Sequence, residues 1–328
     1  MHLIPHLFLL CVLLHMRIKS MSRLNLNAGV LLVSLLTMTS SVFADEAAIT
    51  LLNRMNQSLH ELSYKGTLAY VRGEVLSTLR IEHTVVNGVE NETVVRLNEK
   101  GSKVSRELKG FSLASIPRIS PEMGKVYSFD LGRTNRVANL PCVIVTARPK
   151  DRERYLQKYC INKETGMLLD YVLVGKSHKP VERFMFTTIN IASASGKSKI
   201  EQATSGKVKT TVVIADAKNS SRNAKQLKLP DLGDGWVVDS LPKGYAIRRA
   251  PNVHDKGGKT KHYIVSDGLS SLSVFVSPYS KDEPANNVVV NSGALNVLSQ
   301  RKNDFVVTVV GEVPESTLKN ILNNIRRK

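Results

Sequence analysis

The chain is poor in cysteine, in aromatic residues and in acid. It has three cysteines in 328 residues, and Cys11 falls in the opening stretch, so only Cys142 and Cys160 remain beyond it and a four-cysteine metal site is excluded. The later histidines, at 60, 83, 178, 254 and 262, include no i,i+4 pair on a helix. His60-Glu61 lacks the second histidine of a zinc-protease motif. No serine sits in a nucleophile turn. Ser193-Ala-Ser-Gly196-Lys197-Ser198 is half a phosphate loop, but Ile191 stands where its first glycine is required. No catalytic residue, metal or cofactor is therefore expected.

Acid is scarcer than base, with 28 Asp and Glu against 46 Lys and Arg and a formal charge of +18. The first 44 residues hold Arg17, Lys19 and Arg23 and no acid, then a short apolar run, then Val42-Phe-Ala44 before Asp45-Glu46. That order describes a secretory signal peptide cut after Ala44, with Met21 the natural start of a leader of ordinary length. The apolar run is too short for a comfortable membrane span. Dispersed cations without an aromatic stacking set argue against nucleic acid. After export they point to phosphates, an anionic membrane face or an acidic protein.

What is present is β-structure. Ile49, Leu52, Met55, Leu59 and Leu62 share one face of a predicted helix over 45–62, with Asp45 and Glu46 at the positive end of its dipole. Strand-like runs follow at 64–71, 76–86 and 89–97, and Asn87-Gly88 is the strongest hairpin signal. Residues 102–128 read as a loop crossing the sheet. From 131 to 191, four β-branched and aromatic runs are separated by turn clusters at 149–152, 162–166 and 175–180. A helix and these strands make an α+β domain with a large, curved, unclosed antiparallel sheet. Such a sheet can hold an apolar ligand under its loops. Folding the 131–161 hairpin about Asp151 sets Ile144 opposite Lys158 and Cys142 opposite Cys160. In that register a cross-strand disulfide is open to the pair, the alternative being two buried thiols. Val143, Val145, Tyr155, Tyr159 and Ile161 then share the apolar side, as the face of a pocket or of the core.

Ser, Ala, Lys and Asn dominate 193–228, and 217–228 reads as a linker between a domain at 45–216 and a second at 229–328. The second domain has a lone Trp236, turns at Leu241-Pro-Lys-Gly244 and Ser266-Asp-Gly268, and several strands. A closing helix over 315–327 has Leu318, Ile321, Leu322 and Ile325 on one face and Arg326, Arg327 and Lys328 at its end.

Gly132-Arg-Thr-Asn-Arg136, Cys142-Val-Ile-Val, Arg154-Tyr155 and 164–168 are the first of an ordered set of blocks. Trp236, Asp239-Ser-Leu-Pro-Lys-Gly244, Tyr263-Ile-Val-Ser-Asp-Gly268, 271–276 and Val309-Val-Gly-Glu-Val-Pro314 continue it. The set resembles the RseB/MucB family, periplasmic regulators of the envelope-stress sigma factor (sigma-E). The resemblance implies an N-terminal domain like the lipoprotein carriers LolA and LolB, an unclosed barrel with a helical lid. It also implies a smaller C-terminal sheet closed by a helix, which contacts the periplasmic region of a membrane-spanning anti-sigma factor of the RseA/MucA kind and shields it from site-1 proteolysis. Lipopolysaccharide or mislocalised lipoprotein acyl chains would release it, and a homo-oligomer is compatible with the sequence. Arg248, Arg249, Tyr263 and Asp267 are the expected partner contacts. Arg133 and Arg136 are candidates for lipid phosphate or an inter-domain contact. Two departures stand out. The 104–130 segment, where the lid belongs, is shorter than usual, and Cys160 replaces an aromatic residue. The rival reading is a lipid or lipoprotein carrier without signalling, which has no need of the second domain.

Overall fold

In a computed structural model, the structure describes residues 40–97, 106–107, 112–192, 231–233, 235–250, 260–280 and 288–328. The expected leader up to residue 39, the half phosphate loop, His254 and the 217–228 linker lie outside the described residues. Helix α1 (Ser40–Glu61) starts before the expected cleavage point, so Asp45 and Glu46 are not in its first turn. Among the described residues no helix is long and apolar enough to cross a membrane.

After α1 come β1 (Tyr64–Arg72), β2 (Val75–Val86), β3 (Val89–Leu97) and β4 (Arg106–Glu107). Then follow β5 (Tyr127–Val137), β6 (Leu140–Pro149), β7 (Leu156–Ile161), β8 (Leu168–Val174) and β9 (Pro180–Ile191). All pair antiparallel in one nine-stranded sheet ordered β4-β3-β2-β1-β9-β8-β7-β6-β5, left open because β4 and β5 do not pair with each other. Its core takes Leu52, Met55 and Leu59 from α1 against Leu68, Leu79, Ile81 and Phe186 of the strands. The helical spacing read from the sequence is thus the buried stripe, and burying such side chains is worth roughly 1.5–3 kcal/mol each. The 102–128 segment carries two short 3-10 turns, Leu113–Ser115 and Pro121–Lys125, and buries Leu113, Ile119 and Met123.

The 131–191 run holds one more hairpin than its turn clusters suggest. Ala138 and Asn139 both take positive φ, 46° and 62°, and close β5 onto β6 without a glycine. The next hairpin corrects the expected register by two residues: Ile144, not Cys142, faces Cys160, and Thr146 faces Lys158. Asp151 accepts the Glu153 N–H at 3.0 Å, which moves the pivot to Arg152. The disulfide still forms, diagonally, between Cys142 and Cys160 with Cα atoms 5.3 Å apart. Val143 and Val145 face Ile161 and Tyr159 on the opposite side of the hairpin, as expected.

The second sheet is six-stranded, ordered β12-β13-β14-β17-β16-β15. Its strands are β12 (Ala246–Arg249), β13 (Lys261–Ser266), β14 (Ser271–Pro278), β15 (Val288–Ser292), β16 (Leu295–Lys302) and β17 (Phe305–Gly311). Tyr263, Val265, Val274, Val307 and Val309 bury one face against Leu318, Ile321 and Leu322 of α2 (Glu315–Asn324). That helix is shorter than predicted. Residues Ile325–Arg327 form β18, paired with β11 (Trp236–Val238), and β10 (Asp231–Gly233) completes a three-stranded sheet. The expected C-terminal cations are used elsewhere: Arg326 binds Asp239 at 2.7 Å, and Arg327 lies over Phe305. The helix end is instead met by Lys302, whose Nζ donates to the Leu322 carbonyl at 2.5 Å and to that of Ile325.

Candidate functional site

Residues 47–328 form one compact unit, in which the two larger sheets enclose a cleft of about 990 Å³. One wall is aromatic. Tyr159, Tyr171 and Phe184 stand on β7, β8 and β9, with ring centroids 5.0 and 5.5 Å apart. The period of two on adjacent strands puts these rings in a row. The other wall is rich in hydroxyls, with Ser266, Ser270, Ser271 and Ser273 from the β13–β14 hairpin. Gln157 links the walls: its Oε1 accepts from the hydroxyls of Tyr159 and Tyr171 (3.0 Å for the latter), and its Nε2 donates to Ser270 Oγ at 3.4 Å. Burial pushes both phenols above their ordinary range, so they stay neutral donors. Arg72, Arg96 and Arg248 add positive charge to the lining. The cleft can therefore hold an anionic amphiphile or an extended peptide bearing acid.

The cleft is held open by ties at its ends. At one end Arg154, with no exposed side-chain surface, donates to Asp267, to Asp151 and, at 2.5 Å, to the Lys243 carbonyl. Its guanidinium lies 4.4 Å from the Tyr245 ring centroid. Asp267 has no exposed side-chain surface either and is fully used. Its Oδ2 also accepts from Tyr127 at 2.9 Å, and its Oδ1 from the Leu269 and Ser270 N–H groups at 2.9 and 2.7 Å. Burial opposes the Arg154 charge, but the bond to Asp267 and the neighbouring tyrosines outweigh it and raise its pKa. The two turns read from the sequence are the parts of the small domain that make this tie. Gly244, at φ +84°, lets its turn come so close that an added Cβ would meet Val126 at 2.8 Å.

At the other end Gly293, at φ +61°, meets the β1–β2 turn backbone to backbone. A Cβ there would fall 2.7 Å from the Gly73 nitrogen. Beside it Arg72 bridges Glu182 at 3.3 Å and Glu312 at 3.1 Å, and Tyr70 donates to Glu182 at 2.6 Å. Nearby, Asn296 donates to the Tyr155 hydroxyl at 3.0 Å. One guanidinium shared by two carboxylates leaves Glu312 under-compensated. Burial and the Glu182 charge, only partly offset by Arg72, push its carboxyl from 4.5 up to about 7. Although 42% of its side chain is open, it opens onto the walled cleft. A raised carboxyl pKa means the folded chain holds a proton the unfolded chain has lost, so stability falls as pH climbs from 4.5 through 7. Thermal melts of Glu312→Gln should show a flatter profile across that window than the parent. An unchanged profile would remove Glu312 as its source.

The sequence-derived contacts sort as follows. Tyr263 is 1% exposed in the small core, and Asp267 is locked to Arg154. Neither presents a surface to a partner, because the turn they flank packs inward. Arg248 and Arg249 are exposed on edge strand β12, with Arg248 turned to the cleft. Arg133 and Arg136 are exposed on edge strand β5 away from the cleft lining, Arg136 donating to the Asn139 carbonyl at 2.7 Å. Of the apolar face, Tyr159 lines the cleft. Val143, Val145 and Ile161 are buried in the sheet, and Tyr155 packs with Leu173 and Ala294. Arg72, Gln157, Tyr171, Glu182 and Glu312 were not singled out from the sequence; only Glu312 sat in a block quoted above. Among the described residues no group of His, Cys, Asp and Glu could hold a metal.

Comparison with known proteins places this arrangement. The family model for the MucB/RseB N-terminal domain matches residues 47–115 and 105–204, and that for the MucB/RseB C-terminal domain matches 231–326. The Pseudomonas aeruginosa protein named sigma factor AlgU regulatory protein MucB is 26% identical, over 90% of this chain and 95% of its own. The Escherichia coli K12 sigma-E factor regulatory protein RseB is 23% identical, over 89% and 94%. The crystal structure of MucB in complex with MucA(peri) is 26% identical and superposes with a TM-score of 0.59, over 86% of this chain and 99% of that one. With a two-sheet fold of this order and both domain models matched in sequence, the chain belongs to the MucB/RseB family.

Proposed function

We propose that the chain is a non-enzymatic periplasmic regulator of a sigma-E-type envelope-stress response. It binds the periplasmic region of a membrane-spanning anti-sigma factor and shields it from site-1 proteolysis. The observation that carries this is the match of both family domains, in order, to relatives named as sigma-factor regulators, together with a solved MucB–MucA(peri) complex among the similar structures. Arg96 and Arg248 in the cleft lining, apart from Arg72 which is paired there with Glu182 and Glu312, support a second part of the reading, release by lipopolysaccharide or mislocalised lipoprotein. Acyl chains would bury against the aromatic wall at roughly 0.8 kcal/mol per CH₂. Phosphates would pair with arginine. The same wall would suit a carrier without signalling, but a carrier leaves the second sheet and its ties without a purpose.

The test is titration of the purified chain with the periplasmic segment of a MucA/RseA-type anti-sigma factor, with and without lipopolysaccharide. Binding at about 1 μM or tighter is expected. Lipid that releases the partner must bind the free form better, because coupling is reciprocal. Absence of binding would overturn the regulator in favour of the carrier. Binding indifferent to lipid would overturn the release step alone.

A further inference from the structure

The two ties of the cleft share one charge pattern and differ in what supports it. Each sets one guanidinium between two carboxylates. At the Arg154 end the carboxylates have further donors. Asp267 takes the Tyr127 hydroxyl and two backbone N–H groups, and Asp151 takes the Glu153 N–H. At the Arg72 end a single nitrogen, Nη2, serves both Glu182 and Glu312, at 3.3 and 3.1 Å. Glu182 Oε2 is buried without a donor, and Arg72 Nε is buried without an acceptor. The other groups around Glu312 bring it no second cation. Tyr70 on β1, Tyr171 on β8 and Tyr155 ahead of β7 are phenols that burial holds above their ordinary range, so they stay neutral. Glu315 on α2 is paired with Lys319, Lys176 of the β8–β9 turn is bound to Ser316, and Glu74 of the β1–β2 turn is exposed. Arg96 and Arg248 line the cleft but form no ion pair with Glu312. The rest of the contact at this end is thin: the Gly73–Gly293 approach, the Asn296–Tyr155 bond and a small apolar group of Tyr155, Leu173 and Ala294.

We propose that the Arg72, Glu182 and Glu312 group is a proton-operated latch on the cleft: with Glu312 protonated this end stays shut, and with Glu312 ionised the two sheets part here and swing on the Arg154 end. The direction follows from the charges. Ionised Glu312 gains Arg72, but burial and the facing Glu182 cost it more. Parting the sheets returns the carboxyl to water, where its ordinary value is 4.5, against about 7 in the shut form. The open form is therefore the weaker proton binder. It gains on the shut form as pH climbs from 4.5 through 7, and gains nothing further above that window. The Arg154 end serves as the hinge because its carboxylates are met by donors of their own. The latch goes beyond the regulator reading and stands independently of it: acid narrows the cleft and neutral pH widens it, whatever the cleft holds.

Double electron–electron resonance between two nitroxide labels tests the latch. Glu74→Cys on the β1–β2 turn and Asp304→Cys on the β16–β17 turn place the labels at exposed positions, one on each sheet. Cys142 and Cys160 are bridged and take no label, and Cys11→Ser removes the remaining thiol. β16 spans roughly 25 Å between the Gly293 end and the second label, a separation that the method reads well. Between pH 5 and pH 8 the ratio of longer to shorter distances in this labelled parent is expected to rise about tenfold or more. Adding Glu312→Gln, which keeps the shape of the neutral carboxyl, should hold the shorter distance at both pH values. Adding Glu182→Gln, which leaves Arg72 to Glu312, should move the transition to lower pH. Identical distance distributions for the labelled parent at pH 5 and pH 8 would overturn the latch. So would a Glu312→Gln variant that opens with pH as the labelled parent does, since the titrating group would then lie elsewhere.

Discussion

Replacing Arg154 by methionine is expected to destabilise the chain by about 3–5 kcal/mol, the loss typical when one member of a buried ion pair is removed. The effect is large because of what stays behind. Asp267, with no exposed side-chain surface, would keep its charge or take up a proton at the cost of its bonding to Tyr127 and the 269–270 backbone. The Lys243 carbonyl would also lose its donor, and both turns of the small domain would lose their common anchor. Urea unfolding followed by Trp236 fluorescence reports on the small domain directly, since Trp236 is buried there with its ring 5.4 Å from Phe305. Adding Asp267→Asn to Arg154→Met should recover part of the loss, because the orphaned charge is gone. A loss under about 1 kcal/mol for Arg154→Met would mean that the tie is not a main support of the two-sheet arrangement.

The second large effect is expected at the disulfide. Cys142 and Cys160 are 18 residues apart, and closing a loop of that length removes chain entropy from the unfolded state worth about 3 kcal/mol. The bridge spans the β6–β7 hairpin, whose turn also carries Arg154, so it pins the strands that aim the Arg154 anchor. Dithiothreitol should lower the unfolding midpoint of the parent by the equivalent of that energy. The double variant Cys142→Ala/Cys160→Ala should start at the lowered midpoint and ignore the reductant. Equal midpoints for reduced and oxidised parent would remove the bridge from the account of stability.

These two sites differ in how visible they were. The cysteine pair was legible because only two candidates exist beyond residue 44, and strand spacing brought them together. The register was not legible, since the pivot depends on one side chain, Asp151, bonding its own loop. Asn87-Gly88 announced its turn, with φ of 52° and 76°, whereas the Ala138-Asn139 turn puts at positive φ an alanine, a residue that rarely adopts it. The turns at Gly244 and Gly268 could be read as turns. That they meet at Arg154 could not, because the contacts join residues 89 and 113 positions apart and leave no local periodicity. For the same reason Tyr263 and Asp267 looked like surface residues, although one is core and the other a buried anchor. The aromatic wall follows from alternation on β7 to β9. The charged group of Arg72, Glu182 and Glu312 is long-range and left no motif.

The regulator account is tested most directly by the rate at which site-1 protease cleaves the anti-sigma factor's periplasmic segment, with and without the full chain. Cleavage should slow in proportion to the fraction bound, approaching arrest at saturation. Cleavage at an undiminished rate while the segment is demonstrably bound would contradict the account.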